Sequence, residues 1–237
     1  IAAKRPEWKI GIIGICVLST AVLFSPARAQ IETWQNSITL FEQALHVTKN
    51  NPIAQCNIGA HYLNRGDCEQ AVPHFLKSLE MKRDFAPAYY GLAVCDSRGG
   101  NVAGAINYFG QAILIEPRSK MARLERGQLL MQHGRLEESV EDFRLVLEID
   151  PENEIAHVQL GLIFLQQGKW DDAETHFSEA LRANERSGEV HNNIGILRAA
   201  QGRMEEAIAS FLKAQALMPG NLEIENNLRI VQARASR

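Results

Sequence analysis

The hydrophobic pattern of this chain repeats every 34 residues. Phe41, Phe75, Phe109, Phe143, Phe177 and Phe211 hold that spacing without a slip, and they are six of the nine phenylalanines present. Small residues keep the same period twice over. One ladder is Ser37, Ala71, Ala105, Ser139, Ala173 and Ala207, and the other is Ala44, Ser78, Ala112, Val146, Ala180 and Ala214. A glycine ladder at Gly66, Gly100, Gly134, Gly168 and Gly202 runs in phase with them. Such a unit accommodates two antiparallel helices of about 14 residues joined by short turns.

Each rung has a physical reason. The ladder glycines end the first helix of a unit, where the turn wants a positive φ. Asp67 and Asn101 follow two of them as expected N-caps. The small residues let helix backbones approach closely, and the phenylalanine four positions further on lies on the same face and fills the space between helices. Pro117, Pro151 and Pro219 close three units, stopping the second helix.

These residues resemble the tetratricopeptide repeat (TPR) pattern. Its first-helix glycine stands at Gly59, Gly127, Gly161 and Gly195, with Ala93 in the second unit. The preceding apolar position reads Ile58, Leu92, Leu160 and Ile194, but Arg126 departs from it. Arg83 and Glu185 replace the closing proline, and Pro73 falls inside a second helix, where it is expected to remove a hydrogen bond and bend the helix. The resemblance implies an all-α, right-handed α-solenoid of antiparallel helix pairs. Five repeats are expected at 52–85, 86–119, 120–153, 154–187 and 188–221. A capping helix follows at 222–237, and a half-repeat helix precedes them at 30–51.

The N-terminal segment, 1–29, has a different character. Ile10 to Phe24 carries no charge and follows Lys4, Arg5 and Lys9. Read as a signal peptide, it has a basic start and Ala27-Arg28-Ala29 as a small-x-small cleavage site. Read as a membrane helix, it is short, about 22 Å against a hydrocarbon core of about 30 Å, with Trp8 and the basic flank able to snorkel. A buried helix is the third reading. Either export reading places the repeats on the extracytoplasmic side, because positive charge before the segment favours a cytoplasmic N-terminus. Ile1 in place of a starting methionine suggests processing or a piece of a longer protein.

Gln30 to Ser37, then Leu40-Phe41, Ala44-Leu45 and Val47 to Asn51, are similar to a particular junction. It is the point where the last membrane helix meets the first repeats in multi-spanning proteins of the transmembrane and TPR repeat-containing (TMTC) family and their bacterial relatives. That resemblance implies a membrane tether for the array. It also implies an alternative role, as the recruiting tail of an O-mannosyltransferase-like (GT-C) glycosyltransferase whose catalytic part this chain lacks. A soluble exported periplasmic protein is the remaining alternative.

Composition changes the picture little. A net charge of −3 with few aromatic residues gives no basic footprint for nucleic acid. The four cysteines, Cys16, Cys56, Cys68 and Cys95, form no CxxC pair and are read as small buried hydrophobes. No phosphate loop, HExxH or GxSxG occurs. His157 and His191 share one repeat position and are read as structural. His176, near Asp171, Asp172 and Glu174, is read as part of a solvated face whose acids suit a helix N-terminus. No enzyme activity, cofactor or metal is expected.

The TPR resemblance implies a protein-interaction scaffold that binds a peptide or protein on the concave groove formed by the first helices. Repeat register nominates Asn57, Tyr90, Val94, Leu124, Gln128, Met131, Val158, Leu162, Asn192, Asn193 and Ile196 for that groove, with Cys56, Ala60, Leu63 and Leu165 beside them. Asn57, Asn193 and Asn227 share a position at which similar asparagines in relatives bind peptide backbone. The lysines of the carboxylate clamp are absent, so recognition of a chaperone tail is not expected.

Overall fold

A computed structural model describes residues 37–48 and 50–236. The hydrophobic segment at 1–29, with Cys16, and the start of the junction with Trp34 lie outside the described residues. Twelve helices and no strand occur among the described residues. They are α1 (Ser37–Val47), α2 (Pro52–Asn64), α3 (Cys68–Met81), α4 (Ala86–Arg98), α5 (Val102–Ile115) and α6 (Lys120–Gln132), then α7 (Leu136–Ile149), α8 (Glu154–Gln166), α9 (Trp170–Ala183), α10 (Gly188–Ala200), α11 (Met204–Leu217) and α12 (Leu222–Ala235). None is long and apolar enough to cross a membrane. The chain divides into two compact units, up to Cys95 and from Asp96 onward, the division falling within α4.

The turns between paired helices are built alike. Gly66, Gly100, Gly134, Gly168 and Gly202 all have φ between +70° and +80°. The residue after each donates its N–H back to a carbonyl of the preceding helix's last turn, as Asp67 does to Tyr62 and Lys169 does to Phe164. That bond closes the helix end, and only glycine enters the required left-handed conformation without a Cβ penalty. Asp67 and Asn101 then cap the following helix, accepting from the N–H groups of Gln70 and Gly104. Arg135, Lys169 and Arg203 stand at the same place without a side-chain cap. Acidic residues fill the first turn of those helices instead, where the helix dipole favours negative charge. Pro73 does not end α3, which runs through it to Met81.

In the first unit α1 packs on α2 and α2 on α3. Phe75 is buried between two glycines: a Cβ on Gly59 would fall 2.8 Å from its ring, and one on Gly91 2.3 Å. Phe41, on α1, is only half-buried.

In the second unit consecutive helices pack from α5 to α12, and the first helices α6, α8, α10 and α12 also touch in succession. Phe143, Phe177 and Phe211 are buried in its core. Each presses on the first-helix glycine of its own pair. A Cβ would come within 2.9 Å of Phe143 from Gly127, 2.5 Å of Phe177 from Gly161 and 2.6 Å of Phe211 from Gly195. Serines on the small-residue ladders are fully buried and bonded to backbone: Ser139 donates to the Gly127 carbonyl (2.7 Å) and Ser78 to that of Pro52 (2.8 Å).

Gly161→Ala is expected to cost about 1–3 kcal/mol by overpacking. Gly168→Ala, which meets no neighbouring atom, is expected to cost about 1–2 kcal/mol through its left-handed backbone alone. Urea unfolding followed by circular dichroism measures both; an unchanged Gly161→Ala midpoint would show that the ring does not need the glycine.

Candidate functional site

Three helix pairs are clasped by side chains 19 residues apart. Gln55 meets His74 (2.8 Å), Arg123 meets Asp142 (3.1 Å) and His157 meets His176 through their Nδ1 atoms (3.0 Å). The third repeat carries the heaviest clasp. Arg126, the departure from the apolar pattern, turns its guanidinium onto both oxygens of Asp142 at 2.7 Å. Asp142 is fully buried, and Arg123 also donates to the Pro117 carbonyl. Two arginines thus neutralise one buried carboxylate, which a lone partner would leave poorly satisfied.

The histidine reading needs correction at one residue. His157 is buried and its Nε2 bonds the Pro151 carbonyl (2.9 Å), so the structural reading holds for it. His176, however, is not on a solvated face: it is half-buried, bonded to His157 and stacked on Phe164. Its helix turns it inward, whereas the neighbouring Asp171 and Asp172 stay exposed. Among the described residues no group of three or more His, Cys, Asp or Glu could hold a metal ion. Cys56 and Cys95 are buried and Cys68 half-buried, and burial pushes the Cys56 thiol up to about 11, far from a reactive thiolate.

The nominated groove residues fall into distinct settings. Asn57 on α2 and Tyr90 and Val94 on α4 are half-buried in the first unit. On α6, Gln128 is exposed while Leu124 and Met131 are half-buried; on α8, Leu162 is half-buried and Val158 buried. Leu124, Met131, Leu162 and Leu165 pack against the cluster that holds Phe143 and Phe177. Ile196 packs against the one that holds Phe211. Part of the surface of these aliphatic residues therefore serves the core.

Asn192 and Asn193 on α10 are both buried, with opposite outcomes. Asn192 donates to Glu223 Oε1 (3.3 Å) and accepts from Asn227 Nδ2 (3.1 Å), tying α10 to α12. Asn193 Nδ2 is buried without any hydrogen-bond partner, and so is Gln159 Oε1, 34 residues earlier on α8. An unsatisfied buried amide costs about 1–3 kcal/mol. Asn193 lines a cleft of about 250 Å³ between α10 and α12, together with Glu189, Asn192, Asn221 and Glu223. A neighbouring depression of about 270 Å³ is mainly apolar, lined by Ile196, Ala199, Ile230 and Val231, with Asn227 at its edge. Sequence reasoning missed Gln159, Glu189 and Glu223. Their signal was the same 34-residue register: Gln159 shares the rung of Asn57, Asn193 and Asn227, and Glu189 and Glu223 share a first-turn rung with Met121 and Ile155.

Burial, then the His157 ring and also Arg144, hold His176 below the ordinary histidine value, against the pull of Asp172 and Glu179. A histidine depressed in the folded state makes the unfolded chain the better proton acceptor at lower pH. Its contribution is intact above about pH 6.5 and is lost as pH falls from there through the lowered native value. The melting temperature should therefore drop between pH 7.5 and 5.5. His176→Gln, which keeps a partner for His157, should shrink that drop; an unchanged slope in the variant would refute the assignment.

A family model described as Tetratricopeptide repeat matches residues 56–116 and 158–221, more than half of the chain, and one described as TPR repeat matches 127–168. No curated protein matches the sequence. Among solved structures the chain is similar to YrrB, described as a TPR protein with an unusual peptide-binding site, at 19% identity and a TM-score of 0.69, over 78% of this chain and 96% of that one. It is similar also to pilF of Pseudomonas aeruginosa (22%, TM-score 0.64, over 77% and 89%) and to MamA from Desulfovibrio magneticus RS-1 (17%, TM-score 0.66, over 72% and 97%). Identities this low speak to the fold alone. The repeat register and the matched models together place the chain in the tetratricopeptide repeat family.

Proposed function

We propose that this protein is an interaction scaffold, not an enzyme, and that it holds an extended peptide segment of a partner protein against α8, α10 and α12. The observation that carries the reading is the unpartnered Asn193 amide donor, buried at a cleft. A folded protein rarely buries such a group without a partner. A peptide carbonyl is the acceptor it lacks, and a peptide N–H would serve Gln159 Oε1 in the same way. The aliphatic side chains of Leu162 and Ile196 give a segment something to lie on, and a TPR relative of the same fold is named for a peptide-binding site.

The uncharged stretch from Ile10 to Phe24, with its basic flank, supports a membrane tether that holds the array on the extracytoplasmic side. A mature N-terminus at Gln30 would contradict the tether and favour a released protein. The junction resemblance at 30–51 supports a second reading, the recruiting tail of a membrane glycosyltransferase.

Selection of displayed random octapeptides on the full chain tests the peptide reading. Enriched peptides should bind Asn193→Ala about tenfold more weakly, the loss expected for a buried hydrogen bond. They should also shift the side-chain amide resonance of Asn193. Equal binding by the variant, with helicity intact, would remove Asn193 from the site.

A further inference from the structure

The α10–α12 cleft has a sign as well as a shape. Glu189 in the first turn of α10 and Glu223 in the first turn of α12 both line it and are both exposed. Among the described residues no ion pair involves either one; the arginines and lysines that form bridges do so with other acids. Acids in a first turn are favoured by the helix dipole alone. That suffices for Glu189, whose helix has no side-chain cap, whereas Asn221 already caps α12, accepting from the N–H groups of Glu223 and Ile224. Glu223 is instead held toward the cleft by the bond from Asn192. The same cleft is lined by Asn193, a residue only 6% exposed whose amide donor has no partner, an independent mark of a missing ligand. At the same rung on the preceding first helices stand Met121 and Ile155, both well exposed. The second unit therefore presents an apolar rung on α6 and α8 and an acidic one on α10 and α12.

We infer that this cleft selects a peptide segment bearing a lysine or arginine, with an apolar residue further along the same segment. The cationic side chain lies between the carboxylates of Glu189 and Glu223, while a neighbouring backbone carbonyl accepts from Asn193 Nδ2. The apolar residue covers Met121 and Ile155. This rests on the peptide reading above, and it assigns a charge opposite to that of a carboxylate-terminated ligand. Charge complementarity of this kind mainly sets partner choice and encounter rate, and it weakens with salt.

The octapeptides selected on the full wild-type chain decide it. Lysine or arginine should dominate one aligned position, and its replacement by norleucine should weaken binding about tenfold at low salt, the order of a well-placed charge pair. Selection on the Glu189→Gln/Glu223→Gln double variant should lose that preference. The double variant should remain folded with unchanged helicity, because both side chains are exposed and glutamine can still accept from Asn192. Peptides that need Asn193 but show no basic position, or an acidic one, would overturn the charge assignment and leave the peptide reading standing. No enrichment over the unselected library would overturn both.

Discussion

A phenylalanine ring pressed against a glycine of the preceding helix is the constraint on which the rest of this protein depends. The contact keeps the 34-residue register in four of the five repeats, with Ala93 in the second, and at Gly59, Gly127, Gly161 and Gly195 the ring occupies the space a Cβ would need. Each buried ring removes enough apolar surface from water to contribute about 1.5–3 kcal/mol. Just as important, the missing Cβ sets how closely two helices of a pair approach. Repetition of that spacing in the second unit brings α6, α8, α10 and α12 into a row. Within that row, α10 and α12 bound the cleft that Asn193 lines.

Around this apolar repeat the polar clasps vary freely, because their rung needs only a pair that satisfies itself. Gln–His, Arg–Asp and His–His all serve at the same 19-residue separation. The third repeat shows how a departure is absorbed. Arg126 takes an apolar position, yet its guanidinium reaches Asp142 beside Arg123, so the buried charge gains two partners. Irregularity of sequence there is regularity of hydrogen bonding.

The helix pairs were legible in the sequence because a periodic fold repeats its steric demands. Ladder glycines with positive φ, buried phenylalanines and the caps at Asp67 and Asn101 all stand where the pattern places them. Pairings across a helix hairpin were not legible, since Asp142 and His176 look like ordinary exposed residues of a second helix until the hairpin brings the first helix against them. The candidate site was half legible. Asn193 could be nominated from register, but its orphaned donor, and the contrast with the fully bonded Asn192 beside it, depend on three-dimensional detail. Glu189 and Glu223 were hidden because an acid in a first turn already has an adequate local explanation.

The proposed binding role implies that Asn193 is kept for a ligand at some expense to the fold. A buried amide donor without an acceptor destabilises the free protein. Replacement by an apolar side chain of similar volume relieves that penalty. The most direct measurement is the unfolding free energy of Asn193→Leu against wild type, with no peptide present. Equal or greater stability is expected for the variant. A loss of about 1 kcal/mol or more, the worth of an ordinary hydrogen bond, would show that Asn193 serves the fold and would contradict its assignment to a binding site.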